Sequence, residues 1–434
     1  MQNYLKMKES LYNICIPYET KFAIFNGVTK RFFLVSSQNK DAFLQILSAP
    51  DVYKDSYAPF LERMKSEGFI VDDNIDELQI IHQQYEKRKH SDVYKLMILP
   101  TFSCNVSCWY CTQNHRKLKL TDKDVYRIKQ HIIHYLTHHD IKGLCLSWFG
   151  GEPLLSFHRI VEISEFAYAF CKEHHLTFEN TITTNGILLS NEKIEKMREL
   201  NFVHFQITID GTQEEHDQVK VLKERSAYGT TLDNVCTIIK KIPNAKVCLR
   251  YNYTTKNENI KRVIDNLKIF IPDEIRHHIN LSIMKVWQED ERKIDGDELN
   301  KQVLSESKDW GGVNIGAGFG FCYVDQEHFN CVFPNGLVDK CNNIDPEKCR
   351  GKIGDDGEIV WDKSLPFPLF TVFSDKDSVC FNCKFLPICF GPCPKERDSY
   401  YNLQQHLACR YTDAITHWQQ TIQFYCYINV LSKS

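Results

Sequence analysis

The chain has 434 residues, of which 43% are hydrophobic and 25% are charged, a composition typical of an ordinary globular protein with two or three domains. The formal net charge of −3 argues against binding to nucleic acid or to an anionic membrane surface. No apolar run reaches the length of a transmembrane helix, and the N-terminal residues lack the apolar core of a signal peptide. We therefore expect a cytoplasmic protein.

Residues 1–90 have the pattern of a small α+β domain. The aromatic-rich runs KFAIFNG and KRFFLVS flank a turn at Asn26 and Gly27, which predicts a hairpin. Helices are predicted in KDAFLQIL and in YAPFLERMKSEGF, the second ending near Gly68. The polar segment DDNIDELQIIHQQYEKRKHSD shows no strong core pattern, and we interpret it as a helical linker.

From Val93 onward, strand and helix patterns alternate, which predicts an α/β unit with a parallel sheet, either a barrel or an open sheet. One helix, TDKDVYRIKQHIIHYL, begins with Thr121 as N-cap and Asp124 three residues later. In such folds ligands gather at the C-terminal ends of the strands. The six predicted strands are VYKLMILP, GLCLSWF, TFENTITTNG, FVHFQITIDG, KVCLRYNYT and INLSIMKV.

Four short motifs follow the first four of these strands in turn. They are CNVSCWYC (Cys104 to Cys111), GGEP (Gly150 to Pro153), TTNG (Thr183 to Gly186) and the Asp210–Gly211 pair. Because the carboxyl ends of parallel strands meet at one edge of the sheet, the four motifs predict a single site there. After Trp287 the pattern breaks, and we interpret WGGVNIGAGFGF as a loop.

Nine of the eighteen cysteines lie between Cys322 and Cys409. Structural disulfides are rare in cytosolic proteins, and thiolates at short spacing favour zinc or iron–sulfur clusters. The array contains C-x2-C-x5-C-x3-C. Zinc ribbons use similar spacings, so the spacing alone does not distinguish a zinc site from an iron–sulfur cluster. Six cysteines stand singly among apolar residues and are interpreted as small buried hydrophobes: Cys15, Cys145, Cys171, Cys236, Cys248 and Cys426.

The loop CNVSCWYC offers three thiols, one fewer than the four ligands of a structural zinc site. His115, four residues beyond Cys111, would complete such a site. The alternative is a cluster that is left with one open position.

The spacing C-x3-C-x2-C with Tyr110 before the last cysteine resembles the signature of radical S-adenosylmethionine (radical SAM) enzymes. GGEP is similar to the motif with which these enzymes hold the methionine amino group. The downstream array resembles the SPASM domain of the same enzymes, and the matching residues are Cys322, Gly336, Cys341, Cys380, Cys383, Cys389, Cys393 and Cys409.

The resemblance implies a partial (β/α)6 radical SAM barrel over residues 91–305. A winged-helix-like α+β domain would precede it at 1–90. A cysteine-rich iron–sulfur SPASM domain would follow at 306–412, with a C-terminal helix at 413–434.

The resemblance also implies three [4Fe–4S] clusters. Cys104, Cys108 and Cys111 would hold one, whose open iron binds S-adenosylmethionine and yields a 5′-deoxyadenosyl radical. The residues implied to contact that cofactor are Tyr110, Gly150, Gly151, Glu152, Pro153, Asn185 and Thr208. We expect the open iron to face Glu152 and His115 to stay away from the cluster.

Two auxiliary clusters are implied in the SPASM region. Cys380, Cys383, Cys389 and Cys409 would hold one. Cys322, Cys341 and Cys393 would hold the other, with Cys331 favoured over Cys349 as the fourth ligand.

Two departures from the family pattern carry information. The family often has HDxxR after the Asp-Gly turn, where this chain has HDQVK, with Lys220 in place of arginine. In the sulfatase-maturing branch an aspartate general base follows the cysteine that Cys341 matches, and here that position is Asn342. An amide has no accessible pKa for taking a proton, which argues against formylglycine formation and leaves the general base unassigned.

The order of hairpin and helices at the N-terminus looks like the leader-peptide recognition domain of ribosomal-peptide maturases, which add an extended peptide to a sheet edge. This implies an enzyme that crosslinks a ribosomally synthesised precursor peptide through a thioether or carbon–carbon bond, with an external electron donor such as flavodoxin or ferredoxin. Alternatives are a packing or oligomerisation role for the first domain, a dehydrogenating or formylglycine-type protein maturase, and a zinc-stabilised binding protein. No nucleic-acid or membrane partner is expected.

Overall fold

The computed structural model describes residues 6–113, 115–254, 256–286, 288, 303, 305–315, 319–362, 371–394, 397, 409 and 414–431. The strands are β1 Met7–Glu9, β2 Asn13–Tyr18, β3 Lys21–Asn26, β4 Phe32–Ser36, β5 Ile70–Asp72, β6 Val93–Ile98, β7 Gly143–Trp148, β8 Thr177–Thr184, β9 Phe202–Ile209, β10 Lys246–Tyr253, β11 Ile279–Lys285, β12 Gly312–Ile315, β13 Phe329–Val332, β14 Leu337–Asp339, β15 Gly351–Ile353 and β16 Ile359–Trp361.

The α-helices are α1 Lys40–Ser48, α2 Ala58–Ser66, α3 Glu77–Lys89, α4 Asp122–His138, α5 Phe157–Glu173, α6 Asn191–Glu199, α7 Gln213–Val219, α8 Ala227–Lys241, α9 Ile260–Phe270, α10 Asp273–Arg276, α11 Leu386–Cys389 and α12 Ala414–Leu431. No helix in this described part of the chain combines the length and the hydropathy that crossing a membrane requires.

A sheet of eleven strands organises the centre of the molecule, in the order β12-β11-β10-β9-β8-β7-β6-β13-β14-β15-β16. The eight strands from β12 to β13 run parallel, and the last three continue antiparallel. The six predicted strands are β6 to β11, with helices in the connections between them, so the predicted α/β class with a large parallel sheet is confirmed. The predicted capping box is also present, because Asp124 N donates to Thr121 Oγ1 (3.2 Å) and Thr121 N to Asp124 Oδ2 (2.8 Å).

Alternation along the parallel strands separates a core face from a site face. In β6, Tyr94, Leu96 and Ile98 are buried against the helices, while Lys95 and Met97 lie on the opposite face and are half-buried. The helices thus cover one face of the sheet, and the loops at the C-terminal ends of the strands carry the four predicted motifs.

The N-terminal region forms a three-stranded antiparallel sheet, β2-β3-β4, followed by α1 and α2. The predicted hairpin is β3–β4 and is confirmed. Strand β2 was not predicted, because Pro17 interrupts its apolar alternation.

One sequence interpretation is partly wrong and another is wrong. The polar segment interpreted as a helical linker does contain a helix, α3, but this helix is packed in the protein, because Ile81 and Tyr85 are fully buried against apolar residues of the cysteine-rich region. Two apolar residues four positions apart lie on the same face of a helix and are enough to pack it against a neighbour. The charged residues around them obscure this pattern in the sequence. The glycine-rich segment taken as a loop contains β12, which pairs with β11; residues 316–318 of its GAGFG motif lie outside the described residues.

The singly placed cysteines divide into two groups. Cys145, Cys171 and Cys426 are buried, as predicted for small hydrophobes, whereas Cys15, Cys236 and Cys248 are only half-buried. Burial raises the pKa of Cys171 and of Cys426 to about 12, so these two thiols stay protonated at neutral pH.

The last helix closes the N-terminal sheet. Trp418, Ile422 and Tyr427 of α12 pack on Ile16 and Phe25 of that sheet, and Gln423 Nε2 donates to the carbonyl of Pro17 at 2.9 Å. The beginning and the end of the described chain therefore share one hydrophobic core.

We predict that Ile422→Ala destabilises the protein by about 2–5 kcal/mol, since it removes a fully buried side chain and leaves a cavity. The matched control is Ile428→Ala on the same helix, where the isoleucine is 36% exposed and the effect should stay within about 0.5 kcal/mol. Chemical denaturation measures both, and equal losses for the two variants would contradict the packing described for α12.

Candidate functional site

The three-cysteine loop follows β6 and is closed at its base. Phe102 N donates to the carbonyl of Leu118 at 2.9 Å, and a bridge joins Thr101 to Lys119. Cys104 and Cys108 are half-buried and Cys111 is exposed. Burial raises the pKa of Cys104 and brings that of Cys108 to about 11, so in the metal-free chain the thiols are protonated and must lose protons to bind a metal.

The GGEP turn lies directly against this loop. Gly151 N donates to the carbonyl of Thr101 (3.0 Å) and Glu152 N to the carbonyl of Ser103 (2.8 Å). A Cβ at Gly151 would come within 2.6 Å of the carbonyl oxygen of Phe102 and closer still to that of Ser103. Glycine is required here because the GGEP backbone approaches the backbone of the cysteine loop too closely to leave room for a side chain.

The Glu152 carboxylate joins GGEP to TTNG. It is fully buried and accepts hydrogen bonds from Leu154 N (3.0 Å), Thr184 Oγ1 (2.8 Å) and Asn185 N (2.9 Å). Burial raises the pKa of Glu152, and these three bonds partly oppose that rise. The side-chain oxygens of Glu152 are thus occupied inside the turn, and the orientation of the open iron toward this residue stays a prediction.

Asn185 is the member of TTNG that faces the cysteine loop. Its Nδ2 donates to Asn105 Oδ1 at 2.8 Å and lies 3.9 Å from Cys104 Sγ. The loops after β6, β7 and β8 are thus joined by hydrogen bonds, and the sequence prediction that these motifs meet is correct.

A second polar cluster holds the other end of the cysteine loop. The Tyr110 hydroxyl donates to Asp210 Oδ1, and Asn252 Nδ2 donates to that hydroxyl at 3.2 Å. The Lys220 ammonium pairs with Asp210 Oδ2, and both side chains are only 2% exposed. Lys220 thus supplies the counter-charge of a buried carboxylate. This position needs a cation, and lysine meets that need where the family pattern has arginine.

The surroundings of Asp210 fix the charge states. Burial would raise the pKa of Asp210, but the Lys220 ammonium holds it below its usual value. Asp210 N donates to His216 Nδ1 at 3.2 Å, and burial followed by Lys220 lowers the pKa of His216 to about 3. His216 is therefore neutral, and the Asp210–Lys220 pair carries the local charge.

Thr208 lies on β9 opposite Arg250 of β10 in the parallel register, so the two side chains share one face of the sheet. Arg250 is half-buried, and its Nε donates to Asn252 Oδ1 at 3.0 Å. Sequence reasoning missed Arg250, although strand alternation in KVCLRYNYT places it on the site face.

His115 lies beside the last cysteine of the loop. Its Nε2 is 3.3 Å from Cys111 Sγ, and both residues are exposed. The spacing of four residues in an exposed turn brings the imidazole to the thiol, and the expectation that His115 does not touch the cluster stays a prediction.

The cysteines of the C-terminal region form two neighbourhoods. The pKa of Cys322 is raised to about 11 by burial, and Cys393 and Cys341 add to the rise. The pKa of Cys389 is raised to about 12 by burial, with contributions from Cys380, Cys383 and Cys409. This division matches the two predicted ligand sets, whose assignment to clusters stays a prediction.

The two candidates for the remaining ligand share one apolar cluster. Cys331 is fully buried on β13 opposite Asp339 of β14, and Cys349 is half-buried. Burial raises the pKa of both thiols, and Cys341 adds to the rise for Cys331.

Asn342 connects the cysteine loop with the C-terminal region. Its carbonyl accepts from Gln113 Nε2 at 3.3 Å, and its Oδ1 accepts from the Tyr323 hydroxyl. The residue is thus held by one backbone contact and one side-chain contact, and its amide places a neutral group where the sulfatase-maturing pattern has a base.

The donor chemistry fits an iron–sulfur cluster, because three thiols lie in one loop anchored at both ends. Within the described ranges no three Cys, His, Asp or Glu side chains already form a ready-made metal site.

Comparison with known proteins finds one family model that matches part of the chain. Residues 98–269 match the model described as the Radical SAM superfamily. The chain contains a radical SAM domain. Such a domain implies S-adenosylmethionine and one [4Fe–4S] cluster as its cofactors.

Similar proteins agree with this assignment. The chain is 32% identical over 125 residues to a serine-type anaerobic sulfatase-maturating enzyme of Bacteroides thetaiotaomicron, which is 27% of this chain and 29% of that enzyme. The match spans about half or less of the length of each of the first curated relatives.

Two solved structures share the fold. Native anSMEcpe with bound AdoMet has a TM-score of 0.56 at 16% identity, over 78% of this chain and 98% of that chain. Streptococcus suis SuiB bound to precursor peptide SuiA has a TM-score of 0.50 at 14% identity, over 94% of this chain and 99% of that chain.

We predict that Lys220→Met destabilises the protein by about 3–5 kcal/mol at neutral pH, because it leaves the buried Asp210 carboxylate without a counter-charge. The matched control Lys220→Arg keeps the charge and should retain most of the stability. The difference between Lys220→Met and wild type should shrink as the pH falls and Asp210 becomes protonated in the variant. Anaerobic denaturation at several pH values measures this, and equal stability of the Met and Arg variants would contradict it.

With the three clusters that the sequence predicts, we expect Cys331→Ala to lose one cluster, about one third of the iron of the reconstituted protein, and Cys349→Ala to retain it. Iron and sulfide analysis after desalting measures the difference. The opposite result would assign Cys349 as the fourth ligand.

Proposed function

We propose that the chain is a radical SAM maturase that installs an intramolecular crosslink, a thioether or a carbon–carbon bond, in a ribosomally synthesised precursor peptide. The observation that carries this proposal is the three-thiol loop held against GGEP, in a molecule whose N-terminal sheet has a free edge within the part of the chain that the structure describes. A reduced cluster with bound S-adenosylmethionine would supply a 5′-deoxyadenosyl radical that abstracts a hydrogen atom from the peptide.

The free edge is that of β4. Among the described residues β4 pairs only with β3, and Phe32, Phe33 and Leu34 along it are half-buried. The opposite edge strand, β2, contacts α12 through Gln423. An extended leader peptide that adds a strand to β4 would form hydrogen bonds with the backbone N–H and C=O groups along the edge of β4. Alternate side chains of the peptide would then make apolar contacts.

The residues around the loop have distinct proposed tasks. The backbone of Gly150, Gly151 and Pro153 would hold the methionine amino group, with Glu152 fixing the turn from inside. Asn185 and Thr208 would contact the rest of the cofactor, and Arg250 beside Thr208 is a suitable partner for its carboxylate. Tyr110 would be held in place through Asp210 and Lys220.

The C-terminal region would hold two auxiliary clusters, with ligands as divided above, and an external donor such as flavodoxin or ferredoxin would supply electrons. We propose a domain division at 1–90, 91–305, 306–412 and 413–434. The auxiliary clusters would accept the electron released on ring closure or ligate a substrate thiolate.

The direct test is anaerobic incubation of the reconstituted protein with reductant, S-adenosylmethionine and a small precursor peptide encoded beside its gene. We expect the peptide to lose the mass of two hydrogens per crosslink, and tandem mass spectrometry should show fragments held together across the bond. Cys104→Ala, which removes one thiol of the loop, should give unmodified peptide. A wild-type reaction in which no peptide loses hydrogen would contradict the proposal.

A second candidate is oxidation of a serine or cysteine in a protein, which the match to a sulfatase-maturating enzyme favours. Asn342 disfavours it, because an amide does not act as a base. The two functions differ in product. Oxidation of the serine or cysteine gives an aldehyde, which reacts with hydrazides and leaves the peptide fragments separate in tandem mass spectrometry. A crosslinked peptide does not react with hydrazides, and its fragments stay joined.

A further inference from the structure

Two cysteine-bearing segments far apart in sequence are joined by a buried ion pair. Arg397 Nη1 and Nη2 donate to Asp325 Oδ1 (3.0 Å) and Oδ2 (2.8 Å). The two side chains are 3% and 1% exposed. Tyr85 of α3 lies beside the pair, and burial followed by Asp325 raises the pKa of that phenol.

Each partner of this pair is also bonded to the backbone at a cysteine. Asp325 N donates to the carbonyl of Cys322 at 3.0 Å, and Arg397 N donates to the carbonyl of Cys393 at 3.1 Å. Arg397 Nε also donates to the carbonyl of Pro392 at 2.9 Å. The ion pair therefore fixes the main chain at Cys322 relative to the main chain at Cys393.

A second buried pair does the same for another segment. Arg350 Nε and Nη2 donate to Asp339 Oδ2 (2.9 Å) and Oδ1 (2.7 Å). Asp339 Oδ1 also accepts from Cys341 N at 3.2 Å, and Arg350 follows Cys349 directly. The pair closes the loop from Cys341 to Cys349 at both ends.

Buried ion pairs contribute little net stability, because desolvation offsets their attraction, and their best-attested use is to fix a register. Here both pairs are bidentate, the geometry that gives the greatest positional specificity. Three of the four backbone segments they hold carry the cysteines assigned above to one auxiliary cluster: Cys322, Cys341 and Cys393.

We propose that the Asp325–Arg397 and Asp339–Arg350 pairs are positioning residues that hold the ligand segments of the first auxiliary cluster in place before the cluster binds. This rests on the proposed auxiliary clusters. The pairs act through the main chain beside the cysteines and do not themselves bind iron.

The first test counts clusters in Asp325→Asn and Arg397→Gln after anaerobic reconstitution. We expect each variant to lose one cluster, about one third of the iron, while the electron paramagnetic resonance signals of the other two clusters persist. Arg397→Lys should restore part of the loss. The control is Arg276→Gln, which breaks the ion pair of a buried arginine with the half-exposed Asp309 (2.9 Å), outside the cysteine-rich region, and should keep all three clusters.

The second test uses the full-length chain without iron. A short bifunctional thiol reagent, mapped by mass spectrometry, should bridge Cys322 and Cys393 in wild type and in Arg276→Gln but not in Arg397→Gln. The proposal would be overturned if the reagent bridged the two cysteines equally in all three proteins. It would also be overturned if Asp325→Asn and Arg397→Gln each lost all clusters together. A wild-type protein with one cluster would instead contradict the auxiliary clusters, and the bridging result would still decide whether the pairs position the thiols.

Discussion

The buried carboxylate of Glu152 is the constraint on which the site depends. It accepts three hydrogen bonds from the turns after β7 and β8, and its own backbone is bonded to the loop after β6. Hydrogen bonds to a charged group contribute about 1.5–3 kcal/mol each, whereas the same carboxylate without partners would be strongly unfavourable in the interior. The three loops must therefore assemble together, and assembly fixes where the thiols of the cysteine loop can lie.

A second carboxylate, Asp210, performs the corresponding task at the other end of the loop. It holds the hydroxyl of Tyr110, one residue before Cys111, and Lys220 neutralises it. The loop is thus held at both ends by buried polar groups, whereas the thiol-bearing Cys111 next to Tyr110 is exposed. This arrangement suits a cluster that must be rigidly placed yet open to a second ligand and to a substrate.

Much of the framework was predictable, because strand and helix periodicities were clear from Val93 to Lys285 and the four motifs fell at the ends of four strands. The short strands β12 to β16 were largely not predictable, since three or four residues carry no period and depend on pairing with the main sheet. The burial of α3 was missed because its contacts lie on the cysteine-rich region, some three hundred residues further along the chain. Within the site, residue types were predictable but side-chain directions were not: Glu152 turns inward, and Lys220 finds a carboxylate that its sequence motif does not reveal.

The N-terminal sheet, α3, α11 and α12 share apolar contacts with the second cysteine neighbourhood. A peptide bound at β4 would therefore sit on the same packed unit as the C-terminal cysteines, which gives the proposed leader site a rigid connection to the proposed auxiliary clusters.

The central claim is that the three-thiol loop holds a cluster with one position open for S-adenosylmethionine. The most direct measurement is reductive cleavage of S-adenosylmethionine by the reconstituted protein in the absence of any peptide, followed by chromatography. We predict that wild type forms 5′-deoxyadenosine and that Cys104→Ala forms none. A colourless protein that binds zinc and forms no 5′-deoxyadenosine would contradict the account.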